Sequence, residues 1–342
     1  MRTSTEATGR PRRRRRLMAI LLGIAVLVIA AALAAALVIG PRMGLWLIPP
    51  SPQRYADTAL DLMDAGYYAD SPTWIQARAD AVDATRNAET LADTYPALEA
   101  AAAVAGGKHS SFRSPERARG NDADATAEFV APTLVSSEGV TTIAVPELGG
   151  VSTELQQQYA DAAAHGIADA ASATCGWIVD LRQNRGGTMY PMLAGVAPLL
   201  PDGTALEFET VGGTRTPATL TEGGIAVGSG SPALATSVRT KVTGQDVAVL
   251  QDEMTASSGE AVLTAFRGLP GVETFGTPSA GYASANQVFD LYDGARLMLT
   301  TAAYVDRNGV VLPEAPLAPD HTTTAADAPG AAAEWLRQGS CG

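Results

Sequence analysis

The apolar residues are distributed so that the chain begins with one long uncharged run. Residues 17–40 contain no charged side chain over 24 positions, and five arginines, 12–16, come directly before them. A helix of about 20 apolar residues can cross a bilayer core, and flanking arginines favour the cytoplasmic side. We therefore expect a basic cytoplasmic tail at 1–16 and a single transmembrane helix at 17–40. A cleaved signal peptide is the alternative, although its apolar core of roughly 7–15 residues would be shorter.

The region 41–105 has the pattern of a linker followed by helices. Prolines 49, 50 and 52 suit a stiff spacer, and apolar residues then recur at three- and four-residue steps from Tyr55 onward. Ser71 and Pro72 are typical of a helix start, and 91–104 is an alanine-rich run. We expect an accessory helical bundle here.

Beyond residue 105, short apolar runs alternate with helical segments. Predicted strands are 140–145, 176–181, 246–250 and 291–304, the last around a turn at Asp293-Gly294. Predicted helices are 152–172, 190–199 and 260–266. The glycine- and threonine-rich stretch 215–237 is expected to be a loop or hairpin. This alternation predicts an α/β core at 106–342.

Charge is unevenly distributed along the chain. The first 16 residues hold seven arginines and one glutamate, so the rest holds 17 basic and 35 acidic residues, a net charge of −18. Such a body repels nucleic acid and would attract a cationic partner in a salt-dependent way. The oligomeric state is left open.

Only two cysteines and three histidines are present, which limits the possible site chemistry. Cys175 and Cys341 cannot build a zinc cluster with such scattered histidines, and no metal or cofactor is expected. Outside the cytoplasm the two cysteines could form a disulfide. A buried Cys175 with a free Cys341 is the alternative.

A serine at the start of a predicted helix is the first candidate nucleophile. Ser257 follows the strand 247–250 and a short polar loop, and the helix 260–266 comes next. Unpaired N–H groups at a helix N-terminus stabilise negative charge, which an oxyanion requires. Ser257 and Ser258 are equally typical of ordinary helix caps.

Two glycine pairs could serve such a nucleophile. Gly186 and Gly187 follow a buried strand, and paired glycines let backbone N–H groups approach a ligand closely. Gly106 and Gly107 precede Lys108 and His109, and a hydroxyl nucleophile needs a base. Each feature alone is also compatible with a simple turn or a surface histidine.

Taken together and in order, four segments resemble the C-terminal-processing, or tail-specific, serine protease family, in particular its nisin-resistance branch. They are Ile178-Val-Asp-Leu-Arg-Gln-Asn-Arg-Gly-Gly187, Thr255-Ala-Ser-Ser-Gly-Glu260, Phe275-Gly-Thr-Pro-Ser-Ala-Gly281 and Pro313-Glu-Ala-Pro-Leu-Ala-Pro-Asp320. The resemblance extends from about Gly106 to Asp320. It implies a ClpP/crotonase-like core, here without the PDZ domain that many family members carry.

The resemblance also implies roles for individual residues. It assigns the nucleophile to Ser257 and the base to His109, with Glu314 as the carboxylate that orients the base. The oxyanion hole would comprise Gly186 or Gly187 and the Ser258 N–H.

Many family members use a lysine 25 residues after the serine, but this chain has Tyr282 there, so a Ser–Lys mechanism is not expected. His321 is kept as an alternative base, and His165 is expected to face solvent.

The expected function is that of a membrane-anchored serine endopeptidase that lies outside the cytoplasm and uses a Ser–His mechanism. The plasma membrane would hold it by the single helix 17–40. The substrate would be a peptide, with a cationic antimicrobial peptide of the lantibiotic type as one candidate. A non-catalytic peptide-binding module on the same fold is the alternative.

Overall fold

A computed structural model describes residues 10–342 except 39, 45, 121–128, 222, 231 and 313. The α-helices are α1 (Arg10–Val38), α2 (Pro52–Met63), α3 (Pro72–Thr85), α4 (Tyr95–Gly106), α5 (Thr153–Ala170), α6 (Met189–Val196), α7 (Ser258–Phe266) and α8 (Ala328–Gln338). The strands are β1 (Ser111–Arg113), β2 (Thr133–Ser137), β3 (Val140–Ala144), β4 (Gly176–Asp180), β5 (Gly203–Thr210), β6 (Arg215–Thr221), β7 (Gly224–Val227), β8 (Pro232–Ala235), β9 (Asp246–Gln251), β10 (Val272–Gly276), β11 (Ser284–Asp290), β12 (Arg296–Val305) and β13 (His321–Thr322).

The strands form two sheets with different pairing. One sheet has the order β13-β10-β9-β4-β3-β2, and its strands are parallel except for the antiparallel β2–β3 pair. The other is antiparallel, with the order β1-β12-β5-β6-β7-β8, and β11 pairs with β12. Parallel strands that are covered on both faces consist of continuous apolar residues. Trp177–Val179 in β4 and Val247–Leu250 in β9 show this pattern.

The main hydrophobic core lies between α5, α6, α7 and the parallel sheet. Tyr159, Trp177, Leu193 and Phe266 are fully buried in it. On the other face α8 covers the sheet through Leu336 and its neighbours. These layers fix the carboxyl ends of β4 and β9. The loop that contains Gly186 and Gly187, here called the glycine loop, follows β4, and the loop that leads to Ser257, here called the serine loop, follows β9.

The helices α2, α3 and α4 pack against the antiparallel sheet. One cluster combines Leu60 and Leu98 with Phe112, Leu297 and Leu299 of β1 and β12. The hydroxyls of Tyr55 and Tyr95 both donate to the carboxylate of Asp293, in the turn between β11 and β12. The bundle is therefore attached to the hairpin whose far end reaches the candidate site.

The expected transmembrane helix at 17–40 is not supported. Residues 17–38 lie in α1, but no helix within the described residues is long and apolar enough to cross a membrane.

Most predicted elements are present with shifted ends. Ser71 caps α3 and Pro72 begins it, as expected. The third helical run starts as a 3-10 turn at Ala92–Thr94, and 190–199 ends in another at Ala197–Leu199. The stretch 215–237 forms the hairpin strands β6, β7 and β8 rather than an irregular loop.

The cysteine pair, left open by the sequence, is bonded in the structure. Cys175 directly precedes β4 and Cys341 follows α8, and their Cα atoms lie 5.1 Å apart. The disulfide fastens the C-terminal helix to the central strand of the parallel sheet.

Candidate active site

Ser257 lies at the N-terminal end of α7 with an unusual backbone conformation. Its φ is 52° and its ψ is −113°, a region that residues with side chains rarely occupy. Such strain costs on the order of 1–3 kcal/mol and is found mainly at functional sites. The loop before Ser257 follows β9. The turn therefore places the half-buried Ser257 side chain at the carboxyl end of this buried strand.

A buried carboxylate holds this strained turn in place. Glu260 is fully buried, and its Oε2 accepts the N–H of Ser257 at 2.9 Å and that of Tyr282 at 2.7 Å. Its Oε1 accepts from the Ser279 hydroxyl and the Gly281 N–H. Burial raises the pKa of Glu260, while these four donors act in the opposite direction. Glu260 thus joins the serine loop to the loop 279–282.

The glycine pair lies beside Ser257. A Cβ at Gly186 would come within 2.8 Å of the Ser257 Cβ and 3.0 Å of the Ser258 nitrogen. At Gly187 (φ 108°) a Cβ would overlap the carbonyl oxygen of Leu148. Both positions therefore require glycine, for close approach and for the positive φ.

Hydrogen bonds fix the backbone of the glycine loop against the residues next to Ser257. Gly186 donates its N–H to Asn184 Oδ1 at 2.8 Å, and Ala256 donates to the Asn184 carbonyl at 2.9 Å. The Ser258 hydroxyl donates to the Gly187 carbonyl at 2.6 Å. Among the described residues, the N–H groups of Gly187 and Ser258 donate to no protein acceptor. Two backbone donors therefore remain available beside the Ser257 hydroxyl.

His109 lies at the end of a short 3-10 turn, Gly107–His109, and lines the same cleft as Ser257. Its Nδ1 is 2.9 Å from the Ser284 hydroxyl, and its ring packs edge-on against Tyr282. Burial and, to a lesser extent, the Lys108 ammonium lower the pKa of His109 from 6.5 to about 4. The imidazole is therefore neutral at pH 7 and able to accept a proton.

Glu314 lies close to the turn that carries His109. Its Oε2 accepts the Tyr68 hydroxyl at 3.3 Å, and a Cβ at Gly107 would come within 2.6 Å of that oxygen. Glu314 lines a small cavity together with Ser284, whose hydroxyl contacts Nδ1 of His109, but its Oε1 forms no hydrogen bond with the described residues. Burial raises the pKa of Glu314 above its ordinary value, while Tyr68, Lys108 and Ser284 oppose the rise. The expected carboxylate is thus near the histidine.

Tyr304 on β12 lines the same cleft as Ser257. Its side chain is buried. Burial raises its pKa above the ordinary value of tyrosine, so the phenol stays protonated. Neither Tyr304 nor Ser284 was identified from the sequence.

These groups meet in a cleft of about 710 Å³. Its apolar lining comprises Met189, Tyr190, Phe208, Val227, Val288 and Met298. A space of this size and character suits a peptide segment.

The other candidates from the sequence lie elsewhere. His321 stacks on Phe275 at 4.4 Å and faces Glu273, outside the residues that line the cleft, so the expectation of an alternative base was wrong. His165 is exposed on α5, as predicted. Tyr282 stands where the lysine was expected in relatives. No group of three metal-ligating side chains occurs in the described part of the chain.

The model of peptidase family S41 matches residues 140–323, which is more than half of the chain. The chain belongs to peptidase family S41. Family S41 peptidases are serine proteases, and the matched region contains β3 to β13 with the Gly186–Gly187 loop and Ser257.

Two relatives of this S41 chain cover most of its length. The nisin-resistance protein of Lactococcus lactis subsp. lactis is 35% identical over 301 residues, 87% of this chain and 91% of that one. A solved lipoprotein structure from Streptococcus agalactiae is 28% identical with a TM-score of 0.74, covering 86% of this chain and 99% of that one.

The photosystem II D1 C-terminal processing protease shares the fold of this S41 chain at 14% identity. Its TM-score is 0.55, over 81% of this chain and 94% of that one. The predicted family, its nisin-resistance-like branch and the α/β core are confirmed.

The residues missed by sequence reasoning differ in how they could have been found. The spacing Ser257-x-x-Glu260 is that of a capping box and could have indicated Glu260. Ser284 and Tyr304 carry no local signal, because only the pairing of β11 with β12 brings them to the cleft.

Proposed function

We propose that this S41 chain is a serine endopeptidase in which Ser257 is the nucleophile and His109 the general base. The strained Ser257 beside two unpaired backbone N–H groups, in a cleft shared with a neutral histidine, carries the proposal. Nδ1 of His109 forms a hydrogen bond with the Ser284 hydroxyl. Nε2 is therefore the ring nitrogen that can accept the Ser257 proton.

The proposed reaction follows from these placements. The Ser257 oxygen attacks the peptide carbonyl as His109 removes its proton, and the oxyanion accepts from the N–H groups of Gly187 and Ser258. His109 then protonates the leaving amine, and water hydrolyses the acyl-enzyme by the same route. Glu314 and Ser284 orient the imidazole.

We also propose that the peptidase acts outside the cytoplasm. Disulfides persist in oxidising compartments, and the Cys175–Cys341 bond fastens α8 to the catalytic sheet. The name of the nisin-resistance protein relative supports an antimicrobial peptide as substrate. The net charge of the chain, −12, would attract such a peptide if it is cationic.

Incubation of the purified protein with nisin and with a mixed peptide library, followed by mass spectrometry, tests both parts. We expect cleavage products with the unaltered protein and with Ser258→Ala, which keeps the 258 backbone N–H. Products should disappear with Ser257→Ala. Library cleavage without nisin cleavage would exclude only the substrate, whereas Ser257→Ala at full activity would exclude the mechanism.

A further inference from the structure

The charge of the cleft differs in sign from that of the whole chain. Its charged lining residues are Arg113 on β1 and Arg185 in the glycine loop, and no described aspartate or glutamate lines it. The chain as a whole has 36 acidic and 24 basic residues. The overall charge therefore does not describe what the cleft prefers to bind.

Arg185 directly precedes the glycines whose backbone faces Ser257. It is exposed, and its guanidinium forms no ion pair or hydrogen bond with the described residues. Glu147 accepts the main-chain N–H of Arg185 at 3.3 Å and not its side chain. The guanidinium is thus available at the mouth of the cleft.

Arg182, which lies just after β4, has a structural role. Arg182 forms hydrogen bonds with both carboxylate oxygens of Asp180, at 2.9 and 2.7 Å, and with the Ala325 carbonyl at 2.6 Å. The Arg182 guanidinium is therefore used in hydrogen bonds within the protein, whereas the Arg185 guanidinium forms none with the described residues. A free guanidinium in a cleft is suited to bidentate binding of a carboxylate.

We propose that Arg185 binds a carboxylate of the peptide substrate close to the scissile bond, a subsite that rests on the proposed function. An extended chain advances about 3.4 Å per residue, so Arg185, adjacent to Gly186, reaches groups within roughly two residues of that bond. The carboxylate is an aspartate or glutamate side chain when the cut bond is internal, or the peptide's own C-terminus when the cut bond lies within two residues of that end.

Matched peptides separate these sources. A peptide cleaved by the enzyme is made with a C-terminal acid or amide, and with Glu or Gln at each position within two residues of the cleaved bond. A hydrogen bond between charged groups contributes about 1.5 kcal/mol or more to binding. We therefore expect one of these peptide pairs to show a kcat/KM about tenfold higher for its carboxylate member. Arg185→Gln should reduce that ratio to near one, and Arg185→Lys should keep only part of it, because an ammonium group cannot bind a carboxylate in the bidentate way.

Arg86→Gln is the matched control, since Arg86 is an exposed arginine on the accessory bundle. It should leave the ratio unchanged. Equal rates for all pairs with the unaltered enzyme, or an unchanged ratio in Arg185→Gln, would overturn the subsite while leaving the peptidase assignment intact. If no peptide undergoes Ser257-dependent hydrolysis, the proposed function fails and the subsite fails with it.

Discussion

The pH dependence of peptide cleavage should reflect the unusual environment of His109. Burial, followed by the Lys108 charge, lowers the pKa of His109 from 6.5 to about 4. At 1.36 kcal/mol for each pKa unit, the protein disfavours the imidazolium by about 3 kcal/mol. Because kcat/KM follows the ionisation of the free enzyme, we expect about nine-tenths of full activity to remain near pH 5.

Replacing Lys108 tests the second cause of this shift. The Lys108 charge is the smaller of the two causes, so Lys108→Gln should move the acid limb of the pH profile upward by about half to one pH unit. Arg86→Gln, which removes a distant exposed charge, should not move it. Low salt strengthens the difference.

The assay is kcat/KM for one peptide between pH 3.5 and 8, in steps of about half a pH unit across the expected limb. The lowered pKa of His109 also affects stability: its contribution is complete above pH 6.5 and declines as the pH falls towards 4. Circular dichroism at each pH, and recovery of activity at pH 7, separate unfolding from protonation. A limb near pH 6.5 in the unaltered enzyme, or no movement in Lys108→Gln, would refute the reasoning.

Three further outcomes are expected. Tyr304→Phe removes a hydroxyl from the cleft that contains Ser257 but keeps the ring packing, so kcat should fall about tenfold with an unchanged Tm; an unchanged kcat would mean that this hydroxyl has no kinetic role. Ser284→Ala removes the hydroxyl that contacts Nδ1 of His109, so kcat should fall about tenfold with KM unchanged, and a change in KM alone would contradict an orienting role. Replacing Cys175 and Cys341 by serine should lower the free energy of unfolding by about 2–4 kcal/mol in a urea titration, whereas a change below 0.5 kcal/mol, roughly that of an ordinary surface substitution, would contradict a stabilising bond.

Local patterns predicted the elements that carry the site. The runs at 176–181 and 246–250 are apolar because parallel strands are buried on both faces, and they correspond to β4 and β9. The polar loops after them, with paired glycines or paired serines, follow at the same edge of one sheet. The sequence could therefore indicate both the serine loop and the glycine loop.

Contacts that depend on long-range pairing could not be predicted. Ser284 pairs with Ala303, next to Tyr304, only because β11 and β12 adopt one of several possible registers. The helical bundle likewise gave no sign that Tyr68 would bond Glu314. The expectation for His321 was wrong because its ring stacks on Phe275 instead of turning to the cleft.

The central claim is that the Ser257 hydroxyl is the activated nucleophile of this fold. Reaction with a fluorophosphonate probe, followed by peptide mapping of the labelled residue, tests it most directly. The account predicts an adduct on Ser257 that forms more slowly in His109→Ala and is absent in Ser257→Ala. An adduct on Ser258, or labelling that persists in Ser257→Ala, would contradict it.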